Sequence, residues 1–184
     1  RLSPESWVSL SAAWGSYREE TVGYRSDVIS RYGVGFLGYY EKSLGSEVEL
    51  FSKSQGETWF YDKDDADQQM FWSLTGLRYR LGSLELATAY ERRYAWGEGA
   101  MQWDRYRDRE RLHQKLRFPL GREVFGLVRG SYDLEQSKID EAFYALQWLT
   151  DCLKWELHYT DDRTSGGEGR LGLSMSILAF PDTP

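Results

Sequence analysis

The chain alternates between two kinds of connection, and this rhythm constrains its fold more than any other feature. Short turns separate some of its alternating apolar and polar runs, while longer acidic or aromatic loops separate the others. The short connections are Leu44-Gly45-Ser46, Gly82-Ser83, Gly121-Arg122 and Thr150-Asp151. The long connections are Ser54–Met70, Ala95–Glu110, Asp133–Ile139 and Asp162–Glu168. Because the two kinds take turns, the pattern predicts an antiparallel up-and-down transmembrane β-barrel with one tight-turn rim and one loop rim.

Period-2 alternation predicts eleven strands, most of them about 9–11 residues long, the length that crosses a bilayer when a strand is tilted. They are Trp7–Tyr17, Val22–Ser30, Val34–Ser43, Glu47–Lys53, Phe71–Leu81, Leu84–Tyr94, Arg111–Leu120, Glu123–Tyr132, Asp140–Leu149, Cys152–Asp161 and Gly169–Phe180. An odd total is unusual for a single-chain bacterial barrel, and the chain begins with Arg1. We therefore expect residues 1–184 to be one barrel domain of about 10–12 strands, the C-terminal segment of a longer chain.

The predicted strands have one polar and one apolar face. The residues expected to point into a watery lumen are Arg111, His113, Lys115, Arg117, Lys154, Glu156 and His158. Alternation alone leaves the orientation open, because a soluble lipocalin-like barrel buries its apolar face with the same period. The expected position of the aromatic residues favours the orientation with lipid on the apolar side. They are expected at the strand ends beside the long loops, where the interfacial girdle of a membrane barrel lies. These aromatic residues are Tyr94, Trp96, Tyr132, Tyr144 and Tyr159.

Composition agrees with a chain that meets lipid through strands. Aromatic residues make up 16% of the sequence, with 8 Trp and 13 Tyr, which is more than an ordinary soluble core needs. No stretch approaches the roughly 18 uncharged residues of a transmembrane helix, and no signal peptide opens the chain. The net charge is −6, and acids interleave with the basic residues, so no nucleic-acid partner is expected.

The region from Glu141 to Pro181 resembles a known family. The segment Tyr144–Tyr159 passes from a strand through an Asp-Cys step into a second alternating strand, and Gly169–Phe180 follows as a closing strand that ends in an aromatic residue. Both segments are similar to the last hairpin and last strand of the LptD (OstA) family of lipopolysaccharide-assembly proteins. Many members carry a Cys-Cys pair where this chain has Cys152-Leu153.

The resemblance implies a role in lipopolysaccharide transport in the outer membrane of a Gram-negative-type envelope. Family barrels receive lipopolysaccharide from a periplasmic Lpt bridge, hold an LptE-like plug lipoprotein in the lumen, and release the lipid laterally into the outer leaflet. By this resemblance the chain supplies the last-strand side of the lateral gate, with Gly169, Gly172 and Phe180. It also implies that Cys152 could form a disulfide with an N-terminal periplasmic domain; a buried, inert thiol is the alternative.

Three other functions stay open at this point: a small outer-membrane channel, a lipid-modifying barrel enzyme, and a soluble β-barrel or sandwich that binds a ligand. An enzyme of this kind would need a serine and histidine pair. The chain offers His113 and His158, with Ser131, Ser174 and Glu156 as conceivable neighbours, but it has no asparagine and no Gly-x-Ser-x-Gly elbow. We therefore predict no catalytic residue.

No metal site or cofactor is predicted either. The acidic run of residues 62–67 lacks the spacing of an EF-hand loop, and is expected to be a solvated or lipopolysaccharide-facing loop. The run of residues 105–111 alternates arginine with acidic or aromatic residues and is expected to form a salt-bridged loop. The chain contains no phosphate-binding glycine loop, no dinucleotide motif and no Cys/His metal spacing.

Overall fold

The computed structural model describes residues 5–18, 28–62, 67–97, 108–150, 152–163 and 168–177, and these form one sheet of ten strands. Neighbours in the sheet are neighbours in the sequence, so the topology is up-and-down. The strands are β1 (Glu5–Arg18), β2 (Val28–Ser43), β3 (Val48–Tyr61), β4 (Asp67–Leu81), β5 (Leu84–Gly97), β6 (Arg109–Pro119), β7 (Val124–Asp133), β8 (Lys138–Leu149), β9 (Leu153–Asp162) and β10 (Glu168–Ile177). Within the described ranges no helix is long and apolar enough to span a membrane.

The predicted all-β, antiparallel, up-and-down sheet is confirmed, but with ten strands in place of eleven. The predicted strand Val22–Ser30 is not separate: residues 28–30 belong to β2, and residues 22–27 lie outside the described part. Gly33, in the gap between the predicted strands Val22–Ser30 and Val34–Ser43, is instead extended and pairs with Ala13 of β1, and the Trp59 ring lies where a side chain would be. This glycine allows close approach of an indole ring and makes no turn. Among the described residues the strand total is even, so the odd total behind the expectation of a longer barrel is not found there.

The short connections lie where they were predicted, whereas strands extend into the segments predicted to be long loops. Residues 54–61 continue β3, so the connection to β4 is reduced to residues 62–66. The connection from β7 to β8 is the four-residue turn 134–137, in which the Gln136 N–H donates to Asp133 Oδ1 at 2.8 Å and Ser137 has a φ of 52°. Side-chain hydrogen bonds of this kind fix a tight turn. Loop length had been overestimated because polar and glycine residues occur inside these strands.

Contacts along the chain define two compact units. The first comprises Arg1–Lys42, Phe51–Thr75 and Glu91–Glu110, and the second comprises Ser43–Leu50, Gly76–Tyr90 and Arg111–Pro184. The second unit holds β6 apart from its first residues, and the whole of β7 to β10. Its small cluster of buried apolar side chains consists of Leu127, Phe143 and Ala145.

Aromatic rings cover glycines on neighbouring strands. Phe118 of β6 lies directly opposite Gly126 of β7, and its ring fills the space that a Cβ at Gly126 would need. Phe36 covers Gly56 in the same way, and Tyr159 covers Gly169. A glycine opposite an aromatic residue leaves room for the ring to lie flat on the backbone, which compensates for the weak pairing of glycine in a strand.

Gly126→Val should therefore destabilise the sheet. The new side chain must displace the Phe118 ring, and overpacking of this kind costs about 1–3 kcal/mol. The free energy of unfolding, from a urea titration followed by tryptophan fluorescence, measures the loss. Gly121→Val is the matched control, because the nearest neighbour of a Cβ there is Val124 at 4.0 Å. Equal losses in the two variants would contradict this packing role of Gly126.

Candidate functional site

In β6 to β10 the two faces of the sheet differ sharply in exposure. On β9, Trp155, Leu157 and Tyr159 are exposed by 39, 38 and 43%, whereas the intervening residues are intermediate in exposure. We call the side that carries these exposed residues the apolar face and the opposite side the polar face. The residues predicted to line a lumen lie on the polar face, and all are intermediate in exposure. They are Arg111, His113, Lys115, Arg117, Lys154, Glu156 and His158.

The covered side of the second unit is its polar face. The buried polar residues of this unit are Glu49, Ser131, Asp133, Asp140 and Gln147. Asp140 is only 1% exposed, yet large apolar side chains such as Leu146 and Trp148 on the same strand are exposed. A water-soluble domain usually has the opposite distribution, because large apolar side chains are the ones most often buried.

Ion pairs and hydrogen bonds connect many of the groups on this polar face. The Arg111 guanidinium lies 2.5 Å from the Asp140 carboxylate, and Lys115 Nζ lies 2.7 Å from Glu85 Oε1. Arg78 also pairs with Glu49. These contacts join residues far apart in sequence, so they hold strands together as well as neutralising charge. Pairing of this kind is what a desolvated charge requires.

A second part of the same network is built around an amide. Arg117 Nε donates to Gln147 Oε1 at 3.2 Å, and Gln147 Nε2 donates to Glu156 Oε2 at 2.7 Å. Gln147 thereby links Arg117 on β6 to Glu156 on β9 through hydrogen bonds. Its amide uses both its acceptor and its donor group, which suits a buried position.

Asp140 reaches the polar face because of a β-bulge. The pairing of β7 with β8 shifts between Ser131, which faces Glu141, and Tyr132, which faces Ile139. Without this extra residue Asp140 would share the parity of Tyr144 and point to the apolar face. The bulge turns its carboxylate towards Arg111, as bulges commonly re-aim a side chain. Strict alternation could not reveal this residue, because it assumes an unbroken register.

His158 is held between two other residues of the polar face. Its ring stacks on Phe143 with centroids 5.4 Å apart, and it lies opposite Gly172, where a Cβ would meet the imidazole. Its Nδ1 lies 3.7 Å from Glu156 Oε1. Gly172 therefore provides space for a packed side chain. That Gly172 also weakens the strand pairing at a lateral gate stays a prediction.

The serine and histidine pairs considered for an enzyme are placed close together on the polar face. Ser131 lies directly opposite His113, while Ser174 lies opposite Glu156, whose neighbour on the same face is His158. The Ser131 Oγ is buried and makes no hydrogen bond to any described residue. A nucleophile activated by histidine needs a hydrogen bond between the two side chains. The Ser131 and His113 arrangement does not provide it.

The aromatic residues predicted to form a girdle are all exposed on the apolar face, but they are not all at strand ends. Tyr94 and Trp96 stack at the end of β5 with centroids 5.7 Å apart, and Tyr132 is near the end of β7. Tyr144 instead lies midway along β8, directly opposite Tyr159. The extension of β8 beyond its predicted start moves Tyr144 away from the rim.

Sequence reasoning missed a second aromatic pair. Trp148 and Trp155 lie opposite each other beside the short connection between β8 and β9, and both are exposed on the apolar face. Their parity, which is that of Tyr144 and Tyr159, was the available signal. Aromatic residues beside a short connection suit the interface at that rim.

The remaining candidate residues are placed as follows. Cys152 is a free, exposed thiol in the short connection between β8 and β9, so the expectation of a buried thiol is wrong, and its pairing outside the chain stays a prediction. Phe180 lies outside the described residues. Asp62 accepts a hydrogen bond from the Ser30 backbone N–H at 2.9 Å, and no acidic, histidine or cysteine cluster in the described part could hold a metal ion. Arg109 and Arg111 belong to β6, so this end of the predicted arginine loop is strand.

No family model matches the chain, and no curated protein matches it either.

Asp140→Asn should strongly destabilise the fold. The substitution keeps the shape but leaves the Arg111 guanidinium, whose side chain is 15% exposed, without its carboxylate. Breaking a buried ion pair costs about 3–5 kcal/mol. Asp161→Asn is the control, since its partner Arg163 is 54% exposed and a surface pair contributes about 0–1 kcal/mol. Denaturant titration gives both values, and a loss at Asp140 no larger than at Asp161 would rule out the structural role of the buried pair.

Proposed function

We propose that the chain forms the wall of an outer-membrane-type transmembrane β-barrel, with its apolar face towards lipid and its polar face towards a watery lumen. The observation that carries this proposal is the reversed polarity of the sheet. Carboxylates, amides and guanidinium groups lie on the covered face and pair with one another, while leucine, valine, tyrosine and tryptophan side chains are exposed on the other face.

A soluble barrel or sandwich accounts poorly for this distribution. Soluble monomers rarely expose contiguous apolar patches larger than a few hundred Å². Here the apolar face of β7, β8 and β9 carries neighbouring exposed residues with no polar side chain among them. They are Val128, Tyr144, Leu146, Trp148, Trp155, Leu157 and Tyr159. Lipid acyl chains would remove that surface from water, with a gain of roughly 25 cal/mol for each Å².

Strand length supports the same proposal. The shortest strands, β7, β9 and β10, have 10 residues each, and β2 has 16. A tilted strand of about 9–11 residues crosses the hydrocarbon core. Every described strand is therefore long enough to span a membrane, and the longer ones would extend beyond the headgroups, as the extracellular side of such barrels commonly does.

Each edge of the sheet requires a further partner strand. On β10, Leu171 and Leu173 are 75 and 68% exposed, and on β1, Leu10 and Trp14 are 81 and 88% exposed, far more than apolar residues on inner strands. Unpaired backbone groups at an edge are costly in lipid, so a membrane sheet must close. We propose that closure involves either the two edges of this sheet or further strands of a longer barrel.

Within this class, we propose that the barrel handles lipopolysaccharide, as the LptD family does, with β10 next to the exit path. Two observations support this: the resemblance of residues 141–181 to the family's closing hairpin and last strand, and the position of β10 at an edge of the sheet. Partners implied by the proposal are a plug lipoprotein and a periplasmic lipopolysaccharide bridge. A small channel or a lipid-modifying enzyme is the competing function for the same barrel.

Single-cysteine labelling tests the orientation of the sheet. In a Cys152→Ser background, Leu173→Cys and Ser174→Cys place thiols on opposite faces of adjacent β10 positions. In lipid vesicles, a charged thiol reagent should modify the cysteine at position 174 at least tenfold faster than the one at position 173, because thiolate formation and reagent access both need water. Both should react in denaturant, which is the control. Equal rates in vesicles would exclude a lipid-facing apolar side.

Site-specific photo-crosslinking tests the lipopolysaccharide assignment. A photoreactive residue at Leu173 on β10 should form several-fold more lipopolysaccharide adduct in cells than the same residue at Leu116 on β6, since only an exit path concentrates the lipid at one strand. Both positions are on the apolar face, with Leu173 exposed by 68% and Leu116 by 37%, so bulk membrane contact alone predicts no more than about a twofold difference. Equal adduct yields would remove the transport proposal and leave the barrel proposal standing.

A further inference from the structure

One cation in the middle of the polar face has no anionic partner. Arg129 lies on β7, where it is exposed, and it forms no ion pair or hydrogen bond with any described residue. Its guanidinium instead lies over the Phe143 ring, with Cζ 3.9 Å from the ring centroid. Stacking satisfies the flat faces of a guanidinium but leaves its in-plane N–H donors available. Arg129 therefore has unused donors on the polar side of the sheet.

The residues around Arg129 concentrate positive charge. Lys115 is its direct cross-strand partner, and like charges directly opposite each other destabilise a strand pair. Glu85 neutralises Lys115 through a contact of 2.7 Å. Arg117, the next polar-face residue on β6, lies over Phe125 and donates to the neutral amide of Gln147. No described acidic residue forms a comparable ion pair with Arg129.

The ring beneath Arg129 is firmly held. Phe143 is 5% exposed, and the His158 ring stacks on it with an angle of 21° between the planes. His158 is confined in turn by Gly172 on β10. A guanidinium on a fixed platform loses little conformational freedom when it binds an acceptor, which favours recognition of a planar or tetrahedral oxyanion.

The acids nearest along the polar face do not neutralise Arg129. Glu141 lies opposite Ser131, one polar-face position away, and makes no ion pair with a described residue. Glu156 accepts its hydrogen bond from Gln147, and Glu85 contacts Lys115 and Arg80. The carboxylates on this face are thus either engaged elsewhere or offset from the guanidinium.

We propose that Arg129, held on Phe143 and facing Lys115, forms a binding site for a small oxyanion, a phosphate or carboxylate group, on the polar face of the sheet. The anion would take the place of the missing carboxylate and neutralise Arg129, as Glu85 neutralises Lys115. This inference goes beyond the barrel proposal and does not depend on lipid at the opposite face. In a barrel, the site would hold an anionic solute or an anionic lipid headgroup inside the lumen.

Titration of the folded chain with inorganic phosphate tests the site. The protein is folded in a maltoside detergent, which carries no phosphate, and binding is followed by isothermal calorimetry at low ionic strength. Arg129→Gln should weaken phosphate binding about tenfold or more, because it removes the charged donor. Phe143→Leu should weaken it several-fold, since the platform is lost. Arg122→Gln, at an exposed position in a short connection, should leave it unchanged.

The proposal would be overturned by absence of saturable phosphate binding by the wild-type chain, or by equal binding by wild type and Arg129→Gln. An equal loss in Arg122→Gln would show general charge attraction and would overturn it too. If Arg129→Gln does not fold, Arg129→Lys takes its place: it keeps the charge, loses the planar fork and should bind several-fold more weakly. Unchanged affinity in that variant would count against the site.

The source of the oxyanion is distinguished with a second ligand. A short-chain phosphatidate, soluble in the same detergent, presents the phosphate as a lipid headgroup. Binding at least tenfold tighter than inorganic phosphate, lost in Arg129→Gln, would assign the site to a headgroup. Equal affinity would assign it to a free anionic solute. Both results support the oxyanion site, whereas phosphatidate binding that is insensitive to the Arg129 substitution would contradict it.

Discussion

Charged groups on the covered face of a sheet are tolerated only when they satisfy one another, and the structure of β6 to β10 follows from this constraint. Arg111 with Asp140 and Lys115 with Glu85 connect strands through pairs that are partly or fully desolvated. Gln147 extends the same network with two hydrogen bonds. A buried pair adds little net stability compared with an apolar core, but loss of one partner is expensive. The network therefore supports the proposal that this face lines a wet interior.

The paired charges and the exposed aromatics specify the same register. A slip of one residue in the pairing of β8 with β9 would move every side chain of one strand to the opposite face. It would separate Tyr144 from Tyr159 and Trp148 from Trp155, and would break the hydrogen bond between Gln147 and Glu156. The slip is therefore unfavourable on both faces. It would leave polar groups unsatisfied on the polar face and would place charged side chains on the apolar face. The register of this sheet can therefore be well defined even though its apolar core is small.

Alternation predicted most strands because polar and apolar residues mostly occupy opposite faces of this sheet, and the failures occur where that assumption breaks. The predicted strands end at Ser30 and begin again at Val34, but β2 is continuous there, and Gly33 admits the Trp59 ring. The bulge moves Asp140 to the face opposite to the one that alternation predicts, and no local sequence pattern indicates it. The seven polar-face residues could be assigned from parity alone. Their partners could not, because cross-strand register depends on turn geometry and on bulges.

The basic residues of the polar face differ more in whether a carboxylate neutralises them than in residue type. Arg111, Lys115 and Arg129 are all cations on adjacent strands, yet the first two contact carboxylates and the third contacts only an aromatic ring. In a low-dielectric protein interior an uncompensated guanidinium would be costly, whereas beside a watery passage it stays hydrated until an anion arrives. The exposure of Arg129 is therefore consistent with water on this face. A hydrated, preorganised cation opposite a neutralised lysine would attract anions without distorting the sheet, which is the physical basis of the proposed oxyanion site.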